Sequence, residues 1–311
     1  MNIHQFKPYV LPTAIVLGLL LHNYCAMFSF IVPYLIFLIL ILTFCAVDVK
    51  KLRVGWLDLW IAIFQIGVGV GGYLLMKSIS SSDVLAEGVL IGLLCPVAAS
   101  VAVISCMLGA NRETVTSYTI VGNLMVSIAA PLIFTAIGTH SELSFWQSFL
   151  MIIRKIAPTL ALPFFIVLAL QCWWPKASRA IAKINGAGFW LWSFALLFTL
   201  GQTIDYIFLH GEGNWGNIAW LGLLALVVCA LQFGMGKLIG HFYGDTISGG
   251  QLLGQKNTAM GIWMSNTFLN PLSAVIMAFY SIFQNLFNSW QIWRFEKKQR
   301  HSTIHRHDIR S

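Results

Sequence analysis

The chain has 311 residues, 58% of them hydrophobic and only 10% charged, at a mean hydropathy of +0.78. No soluble globular domain needs that much apolar surface to fill one core. The net charge of +8 invites a nucleic-acid reading, but the cations flank apolar runs instead of covering a face, so no nucleic-acid partner is expected.

Apolar runs of span length recur at about 9–24, 28–47, 56–76, 84–108, 114–138, 156–174, 186–209, 216–236, 243–267 and 270–293. They predict an all-α polytopic membrane protein of ten spans, since a barrel would show alternating strands of about ten residues instead. Lys7 precedes the first run, but the chain passes straight into further spans without a small-residue cleavage pattern, so no cleavable signal is expected. With both termini in the cytoplasm, Lys50, Lys51, Arg53, Arg112, Lys176, Arg179, Lys183, Lys237 and the tail cations lie inside, against Lys77, Arg154 and Lys155 outside. That asymmetry is the one expected in a cell (cytoplasmic or inner) membrane. Cys25, Cys45, Cys95, Cys106, Cys172 and Cys229 show no metal-binding spacing and read as small apolar residues of a bundle.

The first two spans carry no charge and read as scaffold. The third holds Gln65 near its middle, followed by Gly67, Gly69, Gly71 and Gly72, which allow close helix approach; the amide is either a bundle hydrogen bond or an ion ligand. In the fourth, Pro96 removes a donor and kinks or opens the helix. In the fifth, Thr119 and Asn123 stand four apart on one face, as interhelical glue or as oxygen ligands for a hard cation. An outer loop at Thr139–Glu142 leads to an amphipathic stretch ending at Lys155 that is expected to lie in the interface. Spans six to eight carry tryptophans at belt positions. Asp205, late in the seventh, is the only acid read as lying inside a span; it faces a water-filled cavity, pairs with Lys256, or sits at the outer interface.

The ninth span is interrupted by Ser248-Gly249-Gly250-Gln251-Leu252-Leu253-Gly254-Gln255-Lys256-Asn257-Thr258. Backbone unwound at membrane depth must be buried in protein or line a cavity, and an ionisable residue there marks a functional site. The breaks at Pro96 and Gly254 fall at similar places in two five-span halves, 1–138 and 139–293, followed by a basic tail, 294–311, that reads as disordered. A matched pair of interrupted spans points to an inverted-repeat secondary transporter with its site where the broken helices cross. Asn285 and Asn288 in the tenth span would line a substrate path, or else act as helix-packing groups.

These residues resemble the bile acid:sodium symporter superfamily. Phe64-Gln65 is similar to the family's Phe-Gln, Gly92-Leu93-Leu94-Cys95-Pro96 with Val103-Ile104 to its Cys-Pro-Gly-Gly-x-x-Ser-Asn-Val-Ile stretch, and Gly254-Gln255-Lys256-Asn257-Thr258 to its Gly-Met-Gln-Asn-Ser. The resemblance implies a panel domain and a core domain, with the fourth and ninth spans crossing in the core. Of the sodium ligands it implies, Gln65 is kept, the Ser-Asn pair falls on Val101 and Ala102, and the paired hydroxyl positions fall on Thr119 and Asn123. In the ninth span the acid falls on Leu252 and the amide on Lys256; a slip of one residue puts Gln251 and Gln255 there instead.

No confident sodium site therefore emerges. An ammonium within about 4 Å of sodium repels it by a few kcal/mol even at an effective dielectric of about 20. Lys256 is read as occupying the space of a sodium ion beside Gln65, either loading and releasing a proton or standing as a fixed cation that attracts an anion. The bland alternative is a structural lysine. The expected function is alternating-access transport of a small organic solute, an anion by this charge, with sodium or proton as the open choice of coupling ion. A sensor or scaffold that kept the fold is the rival. No Walker loop or metalloprotease helix is present, so neither enzymatic chemistry nor a cofactor is expected. Oligomeric state is not legible.

Overall fold

The computed structural model describes residues 7–48, 52–98, 100–137, 143–184, 186–211 and 213–308. Among them the regular structure is helical, apart from one isolated antiparallel bridge between Val97 and Lys256. Helices α1 (Lys7–Leu20), α2 (His22–Met27) and α3 (Val32–Cys45) take up the first two apolar runs. α4 (Trp56–Ile79) starts where Asp58 accepts the backbone N–H of Gly55 at 3.0 Å, meeting one of the donors a helix start leaves free. α5 (Asp83–Leu94) stops before Pro96, because a proline drives the preceding residue out of the helical region; Cys95 stands at φ −47°, ψ 139°. α6 (Val101–Met107) and α7 (Arg112–Ile137) follow.

In the second half come α8 (Phe145–Trp173), α9 (Pro175–Lys183), α10 (Ala187–Gly211) and α11 (Trp215–Phe242). α8 begins with a capping box between Ser144 and Gln147 and runs unbroken through Pro158 and Pro163. The stretch expected in the interface up to Lys155 is therefore the first half of a longer helix. α12 (Thr246–Gly254) and α13 (Thr258–Phe268) are separate helices, capped by Asp245 and Asn257. α14 (Val275–Asp308) carries on through the basic segment read as a disordered tail, where neither Gly nor Pro interrupts it. The expected outer loop at 139–142, together with Lys50 and Lys51, lies outside the described residues.

Among the described residues four helices are long and apolar enough to cross a membrane: α4, α7, α10 over Ala187–His210, and α11. They keep large apolar side chains exposed, such as Leu124, Ile128 and Leu132 on α7 and Leu223, Val227 and Leu231 on α11. Faces of this kind belong against lipid, and the chain is an all-α membrane protein. Its helices fall into two groups. α1, α2, α3, α8, α9 and α10 pack chiefly on one another, whereas α4 to α7 pack with α11 to α14; the groups meet along α7–α8, α10–α14 and α1–α14.

The tightest approach joins α11 to α12. A Cβ at Gly249 would stand 2.3 Å from the carbonyl oxygen of Gly236 and 2.7 Å from Cα of Gly240. Lipid tails are as apolar as leucine, so helices in a bilayer are held by such close packing, which only small residues permit. Gly249→Val should therefore force α12 off α11 and destabilise the fold by about 1–3 kcal/mol, read as a lowered thermal unfolding midpoint in detergent. An unchanged midpoint would show that the two helices separate freely.

Candidate functional site

The ends of α5 and α12 meet at the bridge of Val97 with Lys256. Two backbone hydrogen bonds tie the breaks antiparallel: Asn257 N–H donates to Pro96 O at 2.8 Å, and Ala98 N–H donates to Gln255 O at 3.1 Å. The helix breaks predicted at Pro96 and Gly254 are thus two halves of a single crossover.

Other carbonyls at the break find side chains from neighbouring helices. Gln65 on α4 donates through Nε2 to Leu94 O at 2.8 Å and Cys95 O at 2.9 Å. The hydroxyl of Tyr118 on α7 donates to Gln65 Oε1 at 2.9 Å, which holds the amide in that orientation. Gln232 on α11 reaches Leu93 O at 2.9 Å, and Tyr280 on α14 donates to Gly254 O at 2.7 Å. Gln284 on α14 accepts from Lys256 N–H at 2.9 Å and returns a bond to Lys256 O at 3.3 Å. Cys95 Sγ donates to Asn257 O at 3.0 Å. Each of these groups would cost several kcal/mol if left bare in an apolar interior.

Lys256 itself is fully buried, and its Nζ has no hydrogen-bonding partner. The charge partner considered for it, Asp205, lies elsewhere: its carboxylate binds His22 of α2 and is 36% exposed. That pairing corrects the reading of Asp205 as an intramembrane partner of the lysine. Gln65 is likewise committed to the carbonyls of α5 and the hydroxyl of Tyr118, so it is no partner for the ammonium either. The lysine has the backbone of the crossover around it and no neutralising acid.

The other predicted site residues divide into four groups. Gln251 and Gln255 are buried and bonded to each other; Ser100 donates to Gln255 Oε1 at 3.3 Å, and Gln251 Nε2 reaches Gln291 Oε1 at 3.5 Å. This amide chain runs from the crossover to α14. Asn257 and Thr258 open α13, with Asn257 Oδ1 accepting from Met260 N–H at 3.1 Å. Thr119 and Asn123 are buried on α7 but donate within their own helix, to Val115 O at 2.7 Å and Thr119 O at 2.5 Å. Asn285 donates to Ser281 O at 2.6 Å, while Asn288 is fully buried with neither amide atom bonded. Among the described residues no group of three or more His, Cys, Asp or Glu side chains forms a metal site.

Several residues of the site carried no signal in the sequence. A tyrosine or lone glutamine in an apolar helix looks alike whether it faces lipid or caps a broken helix, which hid Tyr118, Gln232, Tyr280 and Gln284. Two acids near helix starts that the sequence reading did not single out, Asp58 and Glu87, are 1% and 0% exposed. Asp205 is thus not the only acid inside the molecule. Glu87 Oε2 accepts from Asn270 N–H at 2.7 Å and anchors the turn after α13. A scan against protein-family models and a search of the curated proteins find no match for this chain.

The geometry separates fastening from function. Gln65→Leu should strand two carbonyls and one hydroxyl and lower stability by about 1–3 kcal/mol. Lys256→Met removes a buried amine that nothing binds and keeps the volume, so stability should hold or rise, by up to about 1–4 kcal/mol. A marked fall for Lys256→Met would identify the lysine as a structural strut.

Proposed function

We propose that the protein is a secondary transporter of the cell membrane that moves a small organic anion by alternating access, with Lys256 standing where its resemblance to the bile acid:sodium symporters would place a sodium ion. The observation that carries the reading is the crossover. Two helices interrupted at membrane depth are sustained there by five side-chain caps and two backbone bonds, and a static scaffold has no use for such unwinding. A fully buried ammonium without a partner is costly to folding, and residues that cost stability are kept where they act.

The helix contacts support ten passes arranged as inverted halves. α4 packs on α7 as α11 packs on α14, α3 on α8 as α1 and α2 on α10, and α8 on α7 as α1 on α14. Each pairing is the other's equivalent if five passes repeat upside down. The division into two helix groups suits a panel against which the crossover group moves, and the positive-inside asymmetry puts both termini in the cytoplasm.

An anionic solute is favoured by charge. A cavity of about 510 Å³ lies where Lys237, Gln291, Arg294 and Lys298 converge beside Trp290, and the amide chain through Gln251 and Gln255 leads from it to Lys256. Lys237→Gln with Arg294→Gln should raise the KM for an organic anion severalfold while leaving uptake of a neutral solute, if any, unaltered.

A sensor that binds ligand without turnover is the second reading, favoured by how fully the crossover backbone is bonded. Uptake of labelled organic anions into proteoliposomes under separate sodium and proton gradients distinguishes the two. Uptake identifies a transporter; retained binding without uptake identifies a sensor. Strong stimulation by sodium would refute the lysine-for-sodium assignment, whereas Lys256→Gln should gain a sodium response or lose its response to the proton gradient.

A further inference from the structure

Asp58 is an acid that the crossover does not use. It sits in the first turn of α4 at 1% exposure, and its Oδ1 has no hydrogen-bonding partner. Beside it lies a cavity of about 760 Å³ that Arg53, Asp58, Glu113, Tyr243 and Asp245 help to line. Arg53 precedes α4, Glu113 is on α7, and Asp245 caps α12 after the turn from α11 that holds Tyr243. Glu113 and Asp245 against Arg53 leave this wall negative before Asp58 is counted, which draws protons toward it.

The hydrogens around Asp58 do not add up for a carboxylate. Ser117 Oγ is 3.0 Å from Arg53 O and 3.0 Å from Asp58 Oδ2. A serine hydroxyl has one hydrogen, so it can donate to only one of these two acceptors. With Asp58 ionised, one of the close oxygen pairs has no hydrogen between its members. A proton on Oδ2 completes the chain: Asp58 donates to Ser117, Ser117 donates to Arg53 O, and Oδ2 still accepts from Gly55 N–H at 3.0 Å. The neutral acid also leaves Oδ1 as a bare carbonyl oxygen, which costs far less in an apolar interior than a bare carboxylate oxygen.

We propose that Asp58 is a proton-binding site, loaded from the side of the membrane on which this cavity opens, and that its protonation is sensed by the crossover through α7. Loading takes one proton from cavity water and forms one O–H bond at Oδ2; release reverses it. The path is short. Ser117, which faces Asp58, is followed in the chain by Tyr118, whose hydroxyl holds Gln65 on the carbonyls of α5. Asp58 and Gln65 lie two turns apart on α4, so α4 and α7 are clasped at two levels, one of which changes its hydrogen bonding with the proton.

The proposal deepens the transport reading and rests on it for its purpose; the proton itself is observable without transport. Infrared difference spectra of the purified protein, recorded across a pH titration, should show a protonated-carboxyl band that weakens as pH rises and is lost in Asp58→Asn. Should that variant fail to fold, Asp58→Glu must shift the band and Ser117→Ala must move its titration midpoint. A spectrum with no such band, or one that neither substitution alters, overturns the site. In proteoliposomes, the pH profile of anion uptake should differ between the wild type and Asp58→Asn; a variant with the wild-type pH profile overturns the link to the crossover. Absence of uptake by the wild type, with the band present, would refute the transport reading alone.

Discussion

Two stretches of chain with no helix to satisfy them are made into each other's partners, and the architecture follows from that need. Pro96 has no N–H to give and ends α5; Gly254 ends α12. In water either break would be solvated. Inside the bundle the only donors and acceptors available are those the protein brings, so the breaks pair antiparallel through Asn257 with Pro96 and Ala98 with Gln255. Neighbouring helices supply the remainder, a glutamine each from α4 and α11 and a tyrosine and a glutamine from α14, with Tyr118 of α7 steadying the first. The grouping of α4 to α7 with α11 to α14 is the set of helices required to seal one crossing.

This sealing has a mechanical side. Gln65, Gln232 and Gln284 bind backbone, so they fix the crossover as a shape irrespective of the side chains it presents. The lysine, by contrast, contributes its own N–H and carbonyl to the seal while its ammonium is left out of it. Backbone and side chain of the same residue thus answer to different demands, one to folding and the other to whatever the site binds. The glycine contact between α11 and α12 adds that these two helices move as one piece if they move at all.

What could be read from the sequence follows from which signals are local. Proline and a glycine-amide run interrupt apolar spans whatever surrounds them, so both breaks were legible, as were the cluster Gln251, Gln255 and Lys256 and the helical, membrane-embedded class. Pairings were not. The distance in sequence between His22 and Asp205 hides their contact, and Lys256 was assigned partners on the ground that a buried charge ought to have one. Asp58 was overlooked because an acid in the first helical turn has an ordinary explanation as a cap; only its closeness to Ser117, and that serine's single hydrogen, raises another. At the basic end of α14 two local signals pull apart, since charge suggests disorder and the absence of glycine and proline permits helix.

A cation attached to the chain differs from a sodium ion in one thermodynamic respect: it cannot leave. A diffusible ion that enters a crossover on one side and exits on the other carries the energy of its own concentration difference and of the membrane voltage into the cycle. In the proposed transport cycle the amine of Lys256 would cross nothing; its nitrogen would return to the same place each time, and no gradient of lysine exists to drain. A site held electrostatically by such a residue speeds the approach to equilibrium for its solute, or swaps one solute for another, but cannot by itself concentrate anything. Any accumulation has to be driven by a particle that does depart, and for groups bound covalently to a protein that particle is a proton.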